Sequence, residues 1–143
     1  MPNAGFESMT PIIRVHDMQK AIDYYTRILG FTPEWADEVF GSIRRGRCHL
    51  FLAAGDQGHL GTWTYIGVED CDAVHEEYKA SGARIRNPPT NYEWAYEMQV
   101  EDIDGNVLRI GSDPKEGTPF GDWLDMNGVR WQRKEDGDWM RVE

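Results

Sequence analysis

The apolar residues change their spacing twice along this chain, in the same order each time. Residues 10–15 form a β-branched and apolar run that predicts a strand. Met18, Ala21, Ile22, Tyr25, Ile28 and Leu29 then recur at helical spacing and make one apolar stripe. Asp17 stands where a helix cap is needed, because its carboxylate can accept a bond from an otherwise orphaned amide. Gly30 supplies the left-handed residue that ends the helix. Three short strands are predicted next, over about 31–38, 40–45 and 48–54, with Gly46 in the turn between the last two. After the Gly-rich linker 55–61 (GDQGHLG) the order returns. A strand is predicted over 62–68, with Trp63, Tyr65 and Gly67 on one face, then a helix capped by Asp70 and running to about Ser81, then a strand over 84–86. Residues 87–91 (NPPTN) are expected to interrupt regular structure, because two prolines remove donors and fix the backbone. Strands over 95–101 and 107–110, joined by the turn Asp104-Gly105-Asn106, complete the series.

The recurrence is visible residue by residue. Residues 12–31 read IIRVHDMQKAIDYYTRILGF and residues 65–85 read YIGVEDCDAVHEEYKASGARI. Each passes from a strand to an Asp (Asp17, Asp70), meets a Tyr eight residues later (Tyr25, Tyr78) and stops near a Gly (Gly30, Gly82). The Asp-to-Asp offset is 53 residues. Repetition on this scale predicts two copies of one supersecondary unit, neither large enough to hold a core alone. The expected fold class is α+β, with two βαβββ modules (about 10–54 and about 62–111) in a single domain over 1–113. Each helix covers one face of a four-stranded sheet, and the two open faces together make one concave mixed surface. Residues 114–143 stand outside the repeat as a C-terminal Trp-rich extension, carrying Trp123, Trp131 and Trp139. A hairpin is predicted there, over 129–133 and 138–142. An isolated hairpin is marginal in water, so these tryptophans need a surface, either the domain itself or a second subunit.

With hydrophobic residues at 40% and charged residues at 28%, the 143-residue chain has a globular profile. The net charge of −10 repels phosphate backbones, which argues against nucleic-acid binding and favours cationic ligands. No apolar run reaches the ~18 residues of a membrane span, and the first residues lack a basic start followed by an apolar stretch. A cytoplasmic protein with no membrane partner is the expectation. Cys48 and Cys71 suit a reducing compartment, with a disulfide between them as the weaker alternative.

The order strand, helix and three strands, twice over, resembles the vicinal oxygen chelate superfamily, which includes glyoxalase I, extradiol dioxygenases, fosfomycin resistance proteins and bleomycin resistance proteins. The likeness covers about residues 9–113. It is carried by HDMQKAIDYYTRILGF, WTYIGVEDCDAVHEEYKASGA and, most specifically, VEDIDGNVLRIG. For the enzymes of that superfamily the resemblance implies a metal site built from inward-facing side chains of both modules. One ligand, typically His, lies on the first strand of each module, seven residues before the capping Asp; those positions here are Thr10 and Trp63. A Glu is usual four residues after the Gly of the DGN turn; that position is Arg109, and its counterpart in the first module is Phe51. Indole has no free lone pair and a guanidinium is permanently charged, so neither binds a cation. His16, His49, His59 and His75 have no metal-ligand spacing among them. No metal, cofactor or catalytic residue is therefore expected.

Within the superfamily the chain is most similar to the bleomycin resistance proteins, through FGSIRRGRCHLFLAA, GTWTYIGVEDCDAVHEEY and NYEWAYEMQVEDIDGNVLRIG. That likeness implies sequestration of a cationic or aromatic small molecule, such as a bleomycin-like antibiotic, in clefts at the interface of a homodimer. The candidate ligand-binding residues are Trp35, Phe40, Trp63, Trp94, Tyr96, Glu97 and Arg109. Aromatic walls offer contact area at low entropic cost, and carboxylates at Glu34, Asp37, Glu38, Glu93 and Glu97 suit a cation. Arg109 needs a partner wherever it is buried. Either Glu97 on the neighbouring strand is that partner, or Arg109 awaits an anionic ligand. Two other readings stand beside this one: a glyoxalase-like lyase or dioxygenase with a displaced metal site, and an interaction module working through the Trp-rich tail, which could also narrow a cleft mouth.

Overall fold

Ile12–Arg14 forms strand β1, with Ile13 fully buried on one side and Ile12 and Arg14 on the other. Asp17 caps helix α1 (Met18–Asp23) by accepting a bond from the Lys20 amide at 3.0 Å. The helix does not continue as a plain α-helix to Leu29. Over Tyr24–Ile28 it widens into a π-helical turn, in which the Leu29 amide reaches back five residues to the Tyr24 carbonyl at 3.1 Å. Tyr24 and Tyr25, at its start, are both buried. Gly30, at φ 78°, ends the turn as expected.

Strands β2 (Thr32–Ala36), β3 (Phe40–Arg45) and β4 (Cys48–Ala53) complete a sheet ordered β1-β4-β3-β2, with β1 parallel to β4. The second module repeats this. Strand β5 (Trp63–Gly67), helix α2 (Cys71–Ser81) and strands β6 (Arg84–Asn91), β7 (Tyr96–Glu101) and β8 (Val107–Ser112) give the order β5-β8-β7-β6. Asp70 caps α2 through the Ala73 amide, and Gly82 closes it at φ 84°. The repeat extends to register: Ile12 lies opposite Phe51 on parallel strands, and Tyr65, 53 residues further on, lies opposite Arg109.

The structure is a computed structural model that describes residues 4–143. It divides into two compact units: the chain up to Thr62 with Ile103–Asn106, and Trp63–Asp102 with Val107–Glu143. In the first unit, Ile13, Val15, Ala21, Tyr25, Leu29, Ile43, Leu50 and Leu52 form the core between α1 and its sheet. The Asn106 side chain is fully buried there, accepting from the Gly61 and Thr62 amides and donating to the Arg14 carbonyl. In the second unit, Cys71, Tyr78, Met98, Val100, Leu108 and Ile110 fill the layer between α2 and its sheet.

One sequence expectation is corrected. Residues 87–91 are not an interruption but the second half of β6, which pairs with β7 through register shifts between Ile85 and Asn87 and between Asn87 and Thr90. Because β6 is an edge strand, Pro88 and Pro89 need no amide at those points. The hairpin expected in the tail is present, and a third strand joins it. Trp123–Leu124 (β9) pairs with Arg130–Arg133 (β10), which pairs with Trp139–Arg141 (β11). No helix among the described residues is long and apolar enough to cross a membrane.

Both cysteines are free thiols. Cys71 is 1% exposed, and burial pushes its thiol up to about 11. A raised value favours the folded state fully below the thiol's ordinary 9.0, and the benefit is lost as pH rises from there through about 11. Iodoacetamide at pH 8 is expected to modify Cys48 alone in the native protein and both residues in denaturant, read by mass spectrometry.

Candidate functional site

Strand parity sorts the second sheet into two faces. Met98, Val100, Leu108 and Ile110 face α2; Glu97, Gln99, Glu101, Val107, Arg109 and Gly111 face the other way, joined there by Trp63 and Tyr65. On this second face Glu97 is 1% exposed and its carboxylate is held from three sides. Arg109 donates through Nε to Oε2 at 2.8 Å and through a terminal nitrogen to Oε1 at 2.8 Å. The Trp94 indole N–H donates to Oε1 at 2.5 Å. These bonds to Glu97 hold the Arg109 guanidinium above its ordinary value. The guanidinium itself lies between two rings, 5.4 Å from the Tyr65 centroid and 5.1 Å from that of Trp123. Burial, followed by the nearby Glu97 charge, raises the Tyr65 phenol, whose oxygen sits over Gly111 where a Cβ would meet it at 2.5 Å.

The tail supplies the rest of the enclosure. Trp123 packs against Trp63 (6.2 Å), Tyr92 (5.7 Å) and Trp94 (6.0 Å), while Tyr92 and Trp94 stack at 4.7 Å and 3°. Arg86 donates to Gln99 Oε1 and to the Asp125 carbonyl, and its carbon lies 5.3 Å from the Trp63 ring. Gln99 donates to the Leu124 carbonyl at 2.9 Å. Along β6, Asn91 donates to the Lys115 and Thr118 carbonyls at 2.9 Å each and accepts from the Lys115 amide. The Tyr92 hydroxyl, raised to about 12 by burial, donates to the Asp122 carbonyl at 2.8 Å. Beside this packed face, Tyr65, Gly67, Val68, Glu69, Trp94, Gly111, Ser112 and Asp113 line a cavity of ≈ 410 Å³.

The first sheet carries a separate aromatic group on the face away from α1. Trp35 stacks on Phe40 at 5.9 Å and 29°, and Phe51 lies 6.1 Å and 5.2 Å from these two rings. Trp35 remains 54% exposed. Beside it, Glu34 Oε1 accepts from the Ser42 hydroxyl at 2.8 Å and lies 3.0 Å from His49 Nδ1, contacts that hold this carboxyl below its ordinary range.

A model of the Glyoxalase/Bleomycin resistance protein/Dioxygenase superfamily matches residues 8–110. The chain belongs to this superfamily. Its fold is similar to that of the bleomycin-binding protein from bleomycin-producing Streptomyces verticillus complexed with copper(II)-bleomycin (24% identity over 79% of this chain and 100% of that one, TM-score 0.65). It is also similar to a bleomycin-binding protein complexed with bleomycin (22% identity, 76% and 99%, TM-score 0.66). A third likeness is to TnmS3, an antibiotic-binding protein from Streptomyces sp. CB03234 (20% identity, 80% and 100%, TM-score 0.68). No curated protein matches the sequence.

The superfamily's metal positions do not fit a metal in this chain. Trp63 and Phe51 offer ring carbons, Thr10 a neutral hydroxyl, and Arg109 a cation already paired with Glu97. No step through a metal is derived. Of the two roles foreseen for Arg109, the one realised is the ion pair with Glu97. Trp63, Trp94, Glu97 and Arg109 lie together on the second unit, while Trp35 and Phe40 meet on the first. Tyr96 corrects the expectation of a shared surface: it lies across β7 from Glu97, with its hydroxyl donating to Asp72 of α2 at 2.6 Å and its ring under Lys115. Arg86, Asn91, Tyr92 and Gln99 were not singled out from sequence. Their signal was faint: two asparagines bracketing two prolines, and a glutamine at an inward position of β7.

Replacing Arg109 with Met strands a buried carboxylate and is expected to cost about 3–5 kcal/mol. Adding Glu97→Gln to that variant is expected to recover most of the loss, read as coupling in a double-mutant cycle by urea unfolding.

Proposed function

We propose that this protein is a metal-independent binder of the bleomycin resistance type, cytoplasmic and homodimeric, that sequesters a cationic or aromatic small molecule at a dimer-interface cleft. The observation that carries this reading is the replacement of the superfamily's carboxylate ligand by Arg109, a cation that Glu97 neutralises and two rings cover. Such a centre does not gather a metal or generate a nucleophile. It does hold aromatic surfaces in fixed geometry, and sequestration requires nothing more, since binding alone lowers the free concentration of a toxic compound. The net charge of −10 favours positively charged ligands. Trp35 and Phe40 on the first sheet, and Trp63, Trp94, Glu97 and Arg109 on the second, are the proposed binding residues, with Tyr96 bracing the second sheet from behind. Similarity in fold to two bleomycin-binding proteins and an antibiotic-binding protein supports the reading.

Calorimetric titration with proflavine, a small planar cation, tests it. Saturable binding is expected in metal-free buffer, unchanged by a chelator. Trp35→Ala removes an exposed ring and is expected to weaken binding by about two- to twelvefold, as ring contacts of roughly 0.5–1.5 kcal/mol imply. A stoichiometric divalent ion in protein purified without chelator, together with binding that needs it, would move the chain to the lyase or dioxygenase side.

A further inference from the structure

We propose that the C-terminal segment is a resident occupant of the second sheet's open face, with the Trp123 indole standing where a ligand's ring would otherwise stack. This rests on the binding reading of that face and narrows it: the face accepts small planar cations beside the tail and excludes ligands of glycopeptide size.

The partners of Trp123 are those a bound ring would use. A guanidinium lies 5.1 Å from its centroid, and Trp63, Tyr92 and Trp94 surround it at 5.7–6.2 Å. The flanking backbone is received as a peptide ligand would be. Two sheet side chains, Arg86 and Gln99, aim their donors at the carbonyls of Leu124 and Asp125. Gln99 is 1% exposed and would have no protein acceptor for its amide there without Leu124. Asn91 and the Tyr92 hydroxyl fix the approach of the segment at residues 115–122. Anchors along so much of β6 make the tail a wall of the site, and Trp123 the residue that sets its size. The segment lies beyond the superfamily match, which ends at residue 110. What stays open is the ≈ 410 Å³ cavity edged by the Tyr65 and Trp94 rings and the Glu69 and Asp113 carboxylates. That is near the lower end of ligand pockets, about 300–1,000 Å³.

The full-length Trp123→Ala variant tests the proposal with two probes. Free indole is expected to bind the variant one to one and raise its melting temperature, and to leave the wild-type protein unchanged. Bleomycin is expected to bind the variant at least tenfold more tightly than the wild type. A folded variant that takes up no indole overturns the proposal, as does equal bleomycin affinity in the two proteins. If Trp123→Ala does not fold, Trp123→Leu carries the bleomycin comparison with the same criterion. The indole result is independent of whether the wild-type protein binds any drug. Failure of proflavine binding alongside uptake of indole therefore removes the binding reading and leaves the occupancy standing.

Discussion

A carboxylate taken out of water must find donors, and Glu97 finds three of them in two side chains. Much of the second unit follows from that requirement. Arg109 offers two N–H groups to the carboxylate, and two rings lie close to its guanidinium. Tyr65 comes from the neighbouring strand and Trp123 from the tail. Trp94 spends its indole N–H on the same carboxylate, which fixes the ring in position to stack on Tyr92. The result is a neutral, ring-lined centre.

The two sheets share strand order and register but treat their open faces differently. On the first, the rings of Trp35, Phe40 and Phe51 lie beside the polar set of Glu34, Ser42, Arg44 and His49, and Trp35 stays more than half exposed. On the second, a strand pair from the tail lies over the face and half-buries Trp123. The extra segment thus makes unlike halves out of a duplicated plan.

Much of this was legible in the sequence because it is local or periodic. The caps at Asp17 and Asp70, the closing glycines and the 53-residue offset rest on spacing alone, and register followed the offset. The Arg109–Glu97 pair was legible because a buried guanidinium has few options. The misses have equally specific causes. Tyr96 was placed beside Glu97 although consecutive strand residues face opposite ways. The prolines at 88 and 89 read as a break because nothing local reveals that a strand is an edge. Strand β9 spans two residues, too few for any period. The clasp by Arg86 and Gln99 joins positions 25 to 39 residues apart, which no window along the chain contains.

That long separation bears on how the chain is made. The strands bearing Glu97 and Arg109 leave the ribosome before the segment that covers them. At roughly 5–20 residues per second, the tail follows one to several seconds later. During that interval the nascent sheet presents Trp63, Trp94 and a newly formed ion pair to whatever else is near. The C-terminal strands therefore cover, once they arrive, a surface that the earlier strands leave open.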